Sequence, residues 1–182
     1  WVDASVVKSD GKNKYEVILN EYFEYDKKIN DSIHESIELI KSSKDLLNLR
    51  EIIQRLEKEI TLFHVKVAEN FSKETIDLIG FHGQTIYHNP DEKISKQLGN
   101  GKLLSKLTKR NVVYNFRQND LKNNGQGAPL TPIFHRLIIN QNKISKPVTI
   151  LNIGGIANIT SIDTENKMKS YDIGPGNCLI DH

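Results

Sequence analysis

Strand-forming and helix-forming segments alternate along this chain, and that alternation restricts its possible folds more than any other feature of the sequence. Val2–Lys8 and Tyr15–Phe23 are rich in β-branched and aromatic residues, and the turn-forming residues between them predict a β-hairpin. Apolar residues then recur at helical spacing in two runs, from Ile29 to Ile40 and from Leu46 to Val67. These runs predict two helices that pack on a common core.

Strands and helices continue to alternate in the rest of the chain. The predicted elements, in order, are a strand at Ile76–Phe81, a helix at Gly101–Lys109, a strand at Val112–Phe116, a helix at Pro129–Asn140 with proline in its first turn, a strand at Pro147–Ile153, its hairpin partner at Ile156–Ile162, and a last strand leading to Asp172. This order predicts an α/β layered fold. The new hairpin suggests two domains, at residues 1–146 and 147–182.

Composition excludes several classes of protein. The chain has 25 basic and 23 acidic residues among 182, so its net charge of +2 predicts neither a nucleic-acid nor a membrane partner. No apolar run reaches the roughly 18 residues that span a bilayer. The single cysteine, Cys178, excludes an internal disulfide and fits a reducing cytoplasm; we interpret it as a packed side chain. No histidine pair has zinc-ligand spacing, so no zinc site is predicted and no residue is assigned as a metal ligand.

Four polar segments that contain glycine follow predicted strands, where open α/β sheets bind ligands. The first is His82-Gly83-Gln84-Thr85. Gly83 would let the backbone approach a ligand closely, and the other three side chains can hydrogen-bond to hydroxyl groups. The alternative is a loop that only reverses the chain.

The second segment contains Arg117 and Asp120, followed by Gly125 and Gly127 ahead of a helix predicted from Pro129. A helix N-terminus preceded by glycines can hold an anion or a sugar oxygen. Arg117 could bind a carboxylate or phosphate through two hydrogen bonds, and Asp120 could accept from a sugar hydroxyl. The alternative is a surface ion pair between Arg117 and Asp120 that caps a loop.

The third and fourth segments are a glycine pair, Gly154-Gly155, and an aspartate, Asp172, followed by Gly174-Pro175-Gly176. Backbone amides at a glycine turn can surround a phosphate, although most such turns only connect two strands. The carboxylate of Asp172 could take a proton or hold Mg²⁺, and the alternative is a turn cap.

Together these segments resemble the anhydro-N-acetylmuramic acid kinase family. The matching motifs are His-Gly-Gln-Thr at 82–85, Phe-Arg-x-x-Asp at 116–120, Gly-Gln-Gly-Ala-Pro-Leu at 125–130, Leu-Asn-Ile-Gly-Gly at 151–155 followed by Asn158, and Asp-x-Gly-Pro-Gly-Asn at 172–177. The resemblance extends from about Asp3 to the last residue.

The resemblance implies an actin-like ATPase (ribonuclease H-like) fold, in which two similar α/β domains bind ATP between them. The chain would supply most of the N-terminal domain and the first strands of the C-terminal domain. The implied reaction hydrolyses the 1,6-anhydro bond of 1,6-anhydro-N-acetylmuramic acid and phosphorylates O6, with ATP and Mg²⁺, during cell-wall recycling. The resemblance also implies a cytoplasmic homodimer.

The resemblance implies specific residue roles as well. Asp172 matches the family's general base, and Asp120 is the reserve candidate. The residues implied to bind the sugar are His82, Gly83, Gln84, Thr85, Asn119, Asp120 and Gln126. Those implied to bind the nucleotide are Gly154, Gly155, Asn158, Gly174, Gly176 and Asn177.

Three departures from the family pattern qualify the resemblance. The family's Gly-x-x-Ser-Gly-Thr-Ser loop is absent ahead of Val2–Lys8, Asn124 replaces a glycine, and the chain stops at His182. If position 124 needs a positive φ, asparagine tolerates it better than most residues. We expect the 182-residue chain alone to be inactive or nearly so. The alternatives are another sugar kinase of the same fold, and an inactive relic or sugar-binding fragment.

Overall fold

The computed structural model describes residues 1–177, which form nine strands and six helices. The strands are β1 (Val2–Ser9), β2 (Tyr15–Phe23), β3 (Leu78–Phe81), β4 (Gln84–Asn89), β5 (Ile94–Leu98), β6 (Asn111–Tyr114), β7 (Val148–Ile153), β8 (Ile156–Ile162) and β9 (Met168–Pro175). The helices are α1 (Lys27–Leu39), α2 (Asp45–Asn48), α3 (Arg50–Asn70), α4 (Gly101–Thr108), α5 (Gln118–Lys122) and α6 (Pro132–Gln141). The predicted mixed α/β composition is confirmed.

The chain divides into two compact units. The first comprises Trp1–Val7 and Val17–Gly127, and the second comprises Lys8–Glu16 and the described residues from Ala128 onward. The division between residues 146 and 147, expected from the new hairpin in the sequence, stays a prediction.

Three small sheets involve the first half of the chain. β1 and β2 form the predicted hairpin, and β4 pairs with β5 in antiparallel orientation. β3 and β6 pair in parallel, from Leu78 opposite Asn111 to Phe81 opposite Tyr114. Because parallel strands need a crossover, α4 lies in the connection between β3 and β6.

The core of the first unit lies between α1, α3 and the β4–β5 hairpin. Asp26 caps α1 by accepting a hydrogen bond from the Ile29 amide at 2.8 Å. Thr61 of α3 accepts from the Asn100 amide at 2.9 Å and so fixes the start of α4. The buried apolar side chains of this core are Ile29, Ile33, Ile40, Ile53, Leu56, Ile60, Ile86 and Leu98.

The second unit consists of an antiparallel sheet in the order β7–β8–β9, with α6 packed against β8. A buried polar chain joins helix and sheet. His135 Nδ1 lies 2.8 Å from Thr160 Oγ1, which lies 3.3 Å from Ser170 Oγ. The Ser170 hydroxyl donates to the Ile159 carbonyl at 2.7 Å. Burial lowers the pKa of His135, so this histidine is held neutral.

Several elements differ from the sequence predictions. The predicted helix at 129–140 begins at Pro132, because a start at Pro129 would place the ring of Pro132 against a carbonyl of the preceding turn. The hairpin of β4 and β5 and the short helix α5 were not predicted. β9 continues past Asp172 to Pro175, so Asp172 lies within the strand. Among residues 1–177 no helix is both long and apolar enough to cross a membrane.

Candidate functional site

The segment His82–Thr85 lies between two strands of the first unit. His82 and Gly83 connect β3 to β4, whereas Gln84 and Thr85 are the first residues of β4. Gly83 has a φ of +73°, and a Cβ at this position would overlap the Leu98 carbonyl oxygen. Glycine is required here because the backbone at this residue has a left-handed conformation and also lies against β5.

Both ring nitrogens of His82 have partners within the first unit. Nδ1 lies 2.8 Å from the Gly83 carbonyl oxygen, and Nε2 lies 3.2 and 3.0 Å from Nε and Nη2 of Arg117. Because a guanidinium only donates, Nε2 accepts, and the ring proton is therefore on Nδ1. Burial lowers the pKa of His82 and is the largest cause of the shift. The hydrogen bond to the Gly83 carbonyl raises this pKa, whereas the positive charge of Arg117 lowers it further. The ring is a neutral Nδ1–H imidazole.

Gln84 and Thr85 are half-buried at the start of β4. The Gln97 amide of β5 donates to Thr85 Oγ1 at 3.3 Å, and the Gln84 amide donates to the Thr85 carbonyl at 3.4 Å. The register of the hairpin shifts between Thr85 and Tyr87. Such a bulge changes the direction of neighbouring side chains, and it places buried Ile86 in the core.

Arg117 and Asp120 hold the same residue, Gly127. Nη1 of Arg117 donates to the Gly127 carbonyl at 2.7 Å, and the Gly127 amide donates to Asp120 Oδ2 at 2.7 Å. Among the ion pairs of residues 1–177 there is none between Arg117 and Asp120, so the surface-pair alternative is wrong. Burial lowers the pKa of Arg117, although a guanidinium stays charged at neutral pH.

Helix α5 and the loop between it and Gly127 display two of the predicted sugar-binding residues. Asn119 and Gln126 are both exposed. Asn124 has a φ of +66°, which confirms that this position needs the left-handed conformation. A Cβ on Gly125 would overlap the Asp120 carboxylate, so glycine is needed where the loop folds back onto α5.

The second unit contains the other two segments, and it brings them together. Gly154 and Gly155 form the predicted turn between β7 and β8. The Gly176 amide donates to the Gly155 carbonyl and the Asn177 amide donates to the Gly154 carbonyl, both at 2.8 Å. A Cβ on Gly176 would overlap the Gly154 carbonyl oxygen. The segment after β9 therefore packs directly on the glycine turn.

These contacts determine which backbone groups can still meet a ligand. The amides of Gly176 and Asn177 are occupied by the turn, so they are not available to a phosphate in this arrangement. A Cβ on Gly155 or on Gly174 would meet no atom within 4 Å. Open space therefore lies beside these two glycines.

Asp172 belongs to a polar row that crosses the three-stranded sheet. Asn152 of β7 pairs with Asn158 of β8, which pairs with Asp172 of β9. Directly opposed residues project from the same face, so the two amides and the carboxylate are neighbours. Ala157 pairs with Gly174, which leaves Ile173 as the extra residue of a bulge beside Asp172. The Asp172 side chain is exposed and is not turned into the core.

The row contains one unsatisfied atom. Asn158 Oδ1 is buried and has no hydrogen-bond partner among the described residues. A buried acceptor without a donor is uncommon in folded proteins, so this atom is a candidate for a hydrogen bond from a water molecule or a ligand. Its neighbour in register is Asp172, which makes this end of the sheet the best candidate site of the second unit.

Sequence reasoning grouped these residues only in part. It proposed Arg117 as an anion ligand but did not predict its contacts with His82 and Gly127, which join separate segments. It gave Asn152 no role, although the alternating strand pattern could have placed it beside Asn158. Among residues 1–177, no three or more His, Cys, Asp or Glu side chains cluster as metal ligands. Cys178, predicted to be packed, lies outside the described residues.

The fold and these two clusters define an α/β chain with glycine-lined polar sites, and comparison with known proteins gives its family. The family model for anhydro-N-acetylmuramic acid kinase matches residues 1–182. The chain belongs to the anhydro-N-acetylmuramic acid kinase family.

Similar proteins named anhydro-N-acetylmuramic acid kinase occur in several bacteria. The protein of Pelagibacter ubique is 56% identical over 185 residues, which cover 99% of this chain and 49% of the relative. The proteins of Rhizobium johnstonii and Brucella canis are each 34% identical, over 99% of this chain and 50% of the relative. The chain thus spans about half the length of the curated relatives it matches.

Proposed function

We propose that this chain is part of an ATP-dependent kinase that hydrolyses the 1,6-anhydro bond of 1,6-anhydro-N-acetylmuramic acid and phosphorylates O6. The products are N-acetylmuramic acid 6-phosphate and ADP, and the role is cell-wall recycling. The observation that carries this proposal is the family match over residues 1–182, which includes all four glycine-containing segments. The exposed carboxylate of Asp172 beside an unsatisfied amide oxygen supports it.

The proposal includes the actin-like ATPase fold. Two features are consistent with that fold. The first unit contains parallel β3 and β6, and the second begins a new antiparallel sheet, β7–β8–β9. A cytoplasmic homodimer is also part of the proposal, and it rests on the family resemblance alone.

Asp172 acts as the general base in this proposal. Its carboxylate takes a proton from a water molecule, and the water oxygen bonds to the anomeric carbon as the bond from that carbon to O6 breaks. O6 takes the γ-phosphoryl group of ATP, and ADP leaves. The physical support is that the Asp172 side chain is exposed, so a water molecule can reach its carboxylate oxygens.

The glycine turn is the proposed phosphate contact. A phosphate group is proposed to occupy the open space beside Gly155 and Gly174. Asn158, whose buried amide oxygen has no partner among the described residues, lies in register with Asp172 on the same sheet. Gly154, Gly176 and Asn177 support the turn through backbone hydrogen bonds. When bound with ATP, Mg²⁺ supplies positive charge that stabilises the transferring phosphoryl group.

The sugar-binding residues are proposed in the first unit. Gln84 and Thr85 offer an amide and a hydroxyl at the start of β4, and Asn119 and Gln126 offer exposed amides. Asp120 keeps one carboxylate oxygen on the Gly127 amide, so its remaining oxygen is the one proposed to accept from a sugar hydroxyl.

A chimaeric enzyme tests the proposal. These 182 residues replace the matching segment of the Pelagibacter ubique relative, and ADP release is measured with the anhydro sugar in ¹⁸O-labelled water. We expect sugar-dependent ADP formation with the label at the anomeric carbon. Asp172→Asn should lower kcat by about 10²–10⁴-fold, since a general base contributes that much.

The matched control is Asp163→Asn, in the turn between β8 and β9. Asp163 accepts from the Glu165 and Lys167 amides and caps that turn. Because it is not one of the proposed site residues, its substitution should leave kcat unchanged. Full turnover in Asp172→Asn would transfer the base role to Asp120. A folded chimaera that forms no ADP with this sugar would refute the proposed reaction.

A further inference from the structure

One side chain, Arg117, connects three segments of the first unit. It follows β6 and donates to the His82 ring, which follows the neighbouring strand β3. It also donates to the carbonyl of Gly127, at the end of the glycine-containing loop. Arg117 thereby links the ends of two parallel strands to a loop that belongs to a separate sequence motif.

The His82 ring leaves no nitrogen for a ligand in this arrangement. Nδ1–H donates to Gly83, and the lone pair of Nε2 accepts from Arg117. A direct sugar contact through this ring would require one of these hydrogen bonds to break. The structure therefore favours a supporting role for His82, which differs from the direct contact implied by the family motif.

Both backbone polar groups of Gly127 are hydrogen-bonded. Arg117 donates to its carbonyl, and its amide donates to Asp120 Oδ2. The Gly125 amide donates to the Asp120 carbonyl at 2.8 Å. Gln126 is therefore an exposed residue whose backbone lies between two hydrogen-bonded neighbours.

We propose that Arg117 is a positioning residue of the sugar site, acting through His82 and Gly127 to fix the segments that display Gln84 and Gln126. The expected effect of Arg117 on the kinetics rests on the proposed function, whereas the hydrogen bonds of Arg117 are present without a ligand. An arginine suits this role because its planar guanidinium donates in two directions at once, which the single ammonium of lysine cannot reproduce.

The first test is independent of activity. Long-range ¹H–¹⁵N NMR spectra of the 182-residue chain identify which histidine nitrogens carry protons, and a His82→Gln variant assigns the signal. We expect His82 as the Nδ1–H form. Arg117→Met removes every donor but keeps an unbranched side chain, so an Nε2–H population should appear. Arg55→Met, at an exposed site on α3, should leave the His82 signal unchanged.

The second test uses the chimaera and a double-mutant cycle. Misplaced binding groups cost about 10²-fold, so Arg117→Met should lower kcat/KM for the sugar by about that factor with the KM for ATP unchanged. His82→Gln should cause part of the same loss, and the double variant should lose no more than Arg117→Met alone. Arg117→Lys, which keeps the charge and can satisfy one partner, should recover part of the activity.

The outcomes separate this inference from the proposed reaction. If wild-type His82 is Nε2–H, or if Arg117→Met leaves its tautomer unchanged, the positioning role is wrong whatever the enzyme does. If the losses in the double variant multiply, Arg117 acts on the ligand directly and the inference fails. If the chimaera lacks activity towards this sugar but the tautomer responds as expected, the reaction is wrong and the positioning of the two segments stands.

Discussion

Replacing Thr160 by valine tests the polar chain that joins α6 to the sheet of the second unit. Thr160 is fully buried, with an exposed fraction of 0%, and its hydroxyl lies between His135 Nδ1 and Ser170 Oγ. Valine keeps the branched shape but removes the oxygen. The His135 nitrogen then loses its partner while it remains buried, since its residue is only 7% exposed.

The magnitude follows from two opposing effects. An unsatisfied buried donor costs about 1–3 kcal/mol. The added methyl group recovers about 0.8 kcal/mol of apolar burial. The expected net loss in stability is therefore about 0.2–2 kcal/mol, which lowers the folded-to-unfolded ratio by up to roughly 30-fold.

Native-state hydrogen exchange measures this loss in the second unit by itself. The opening free energy of the slowest β8 amides should fall in Thr160→Val, by up to about 2 kcal/mol. The matched control is Thr149→Val, whose hydroxyl contacts Ser161 at 2.8 Å on the exposed face, and it should change stability by less than about 0.5 kcal/mol. Equal effects of the two substitutions, or no effect of Thr160→Val, would show that this buried polar chain contributes nothing to the stability of the second unit.

Two further predictions concern the same unit. Burial lowers the pKa of His135, so the unfolded chain binds a proton more readily; stability should fall as pH drops below the ordinary value of about 6.5, and less so in His135→Gln, as measured by exchange of β8 amides. Gly176→Ala should displace the segment after β9 and speed exchange of the Asn177 amide, because the added methyl overlaps the Gly154 carbonyl. Gly155→Ala, with open space at its Cβ, should leave that amide protected.

Periodicity in the sequence predicted the long elements well. The isoleucine spacing of α1 and the apolar stripe of α3 indicate which helical faces are buried, and Ile33 and Ile60 are indeed in the core. The β4–β5 hairpin was missed because Ile94–Leu98 mixes polar and apolar residues and has no glycine turn at its start. Packing of Ile86 and Leu98 against the helices, a non-local effect, selects the strand conformation there.

The short helix α5 illustrates a second limit of sequence reasoning. Five residues are too few to show helical periodicity, so Asn119 and Asp120 read as loop residues. The helix exists because Leu121 is fully buried beneath the loop that ends at Gly127. That burial also sets the direction of the Asp120 carboxylate towards the Gly127 amide.

The sequence by itself determined the α/β composition, the positions of the glycine turns and the family, because these depend on residue type and spacing along the chain. Only the tertiary structure decided that Arg117 holds His82 and Gly127, and that Asn152, Asn158 and Asp172 form one row. Strand register and contacts between distant loops bring these residues together. Such contacts depend on how separate elements pack, which no local pattern records.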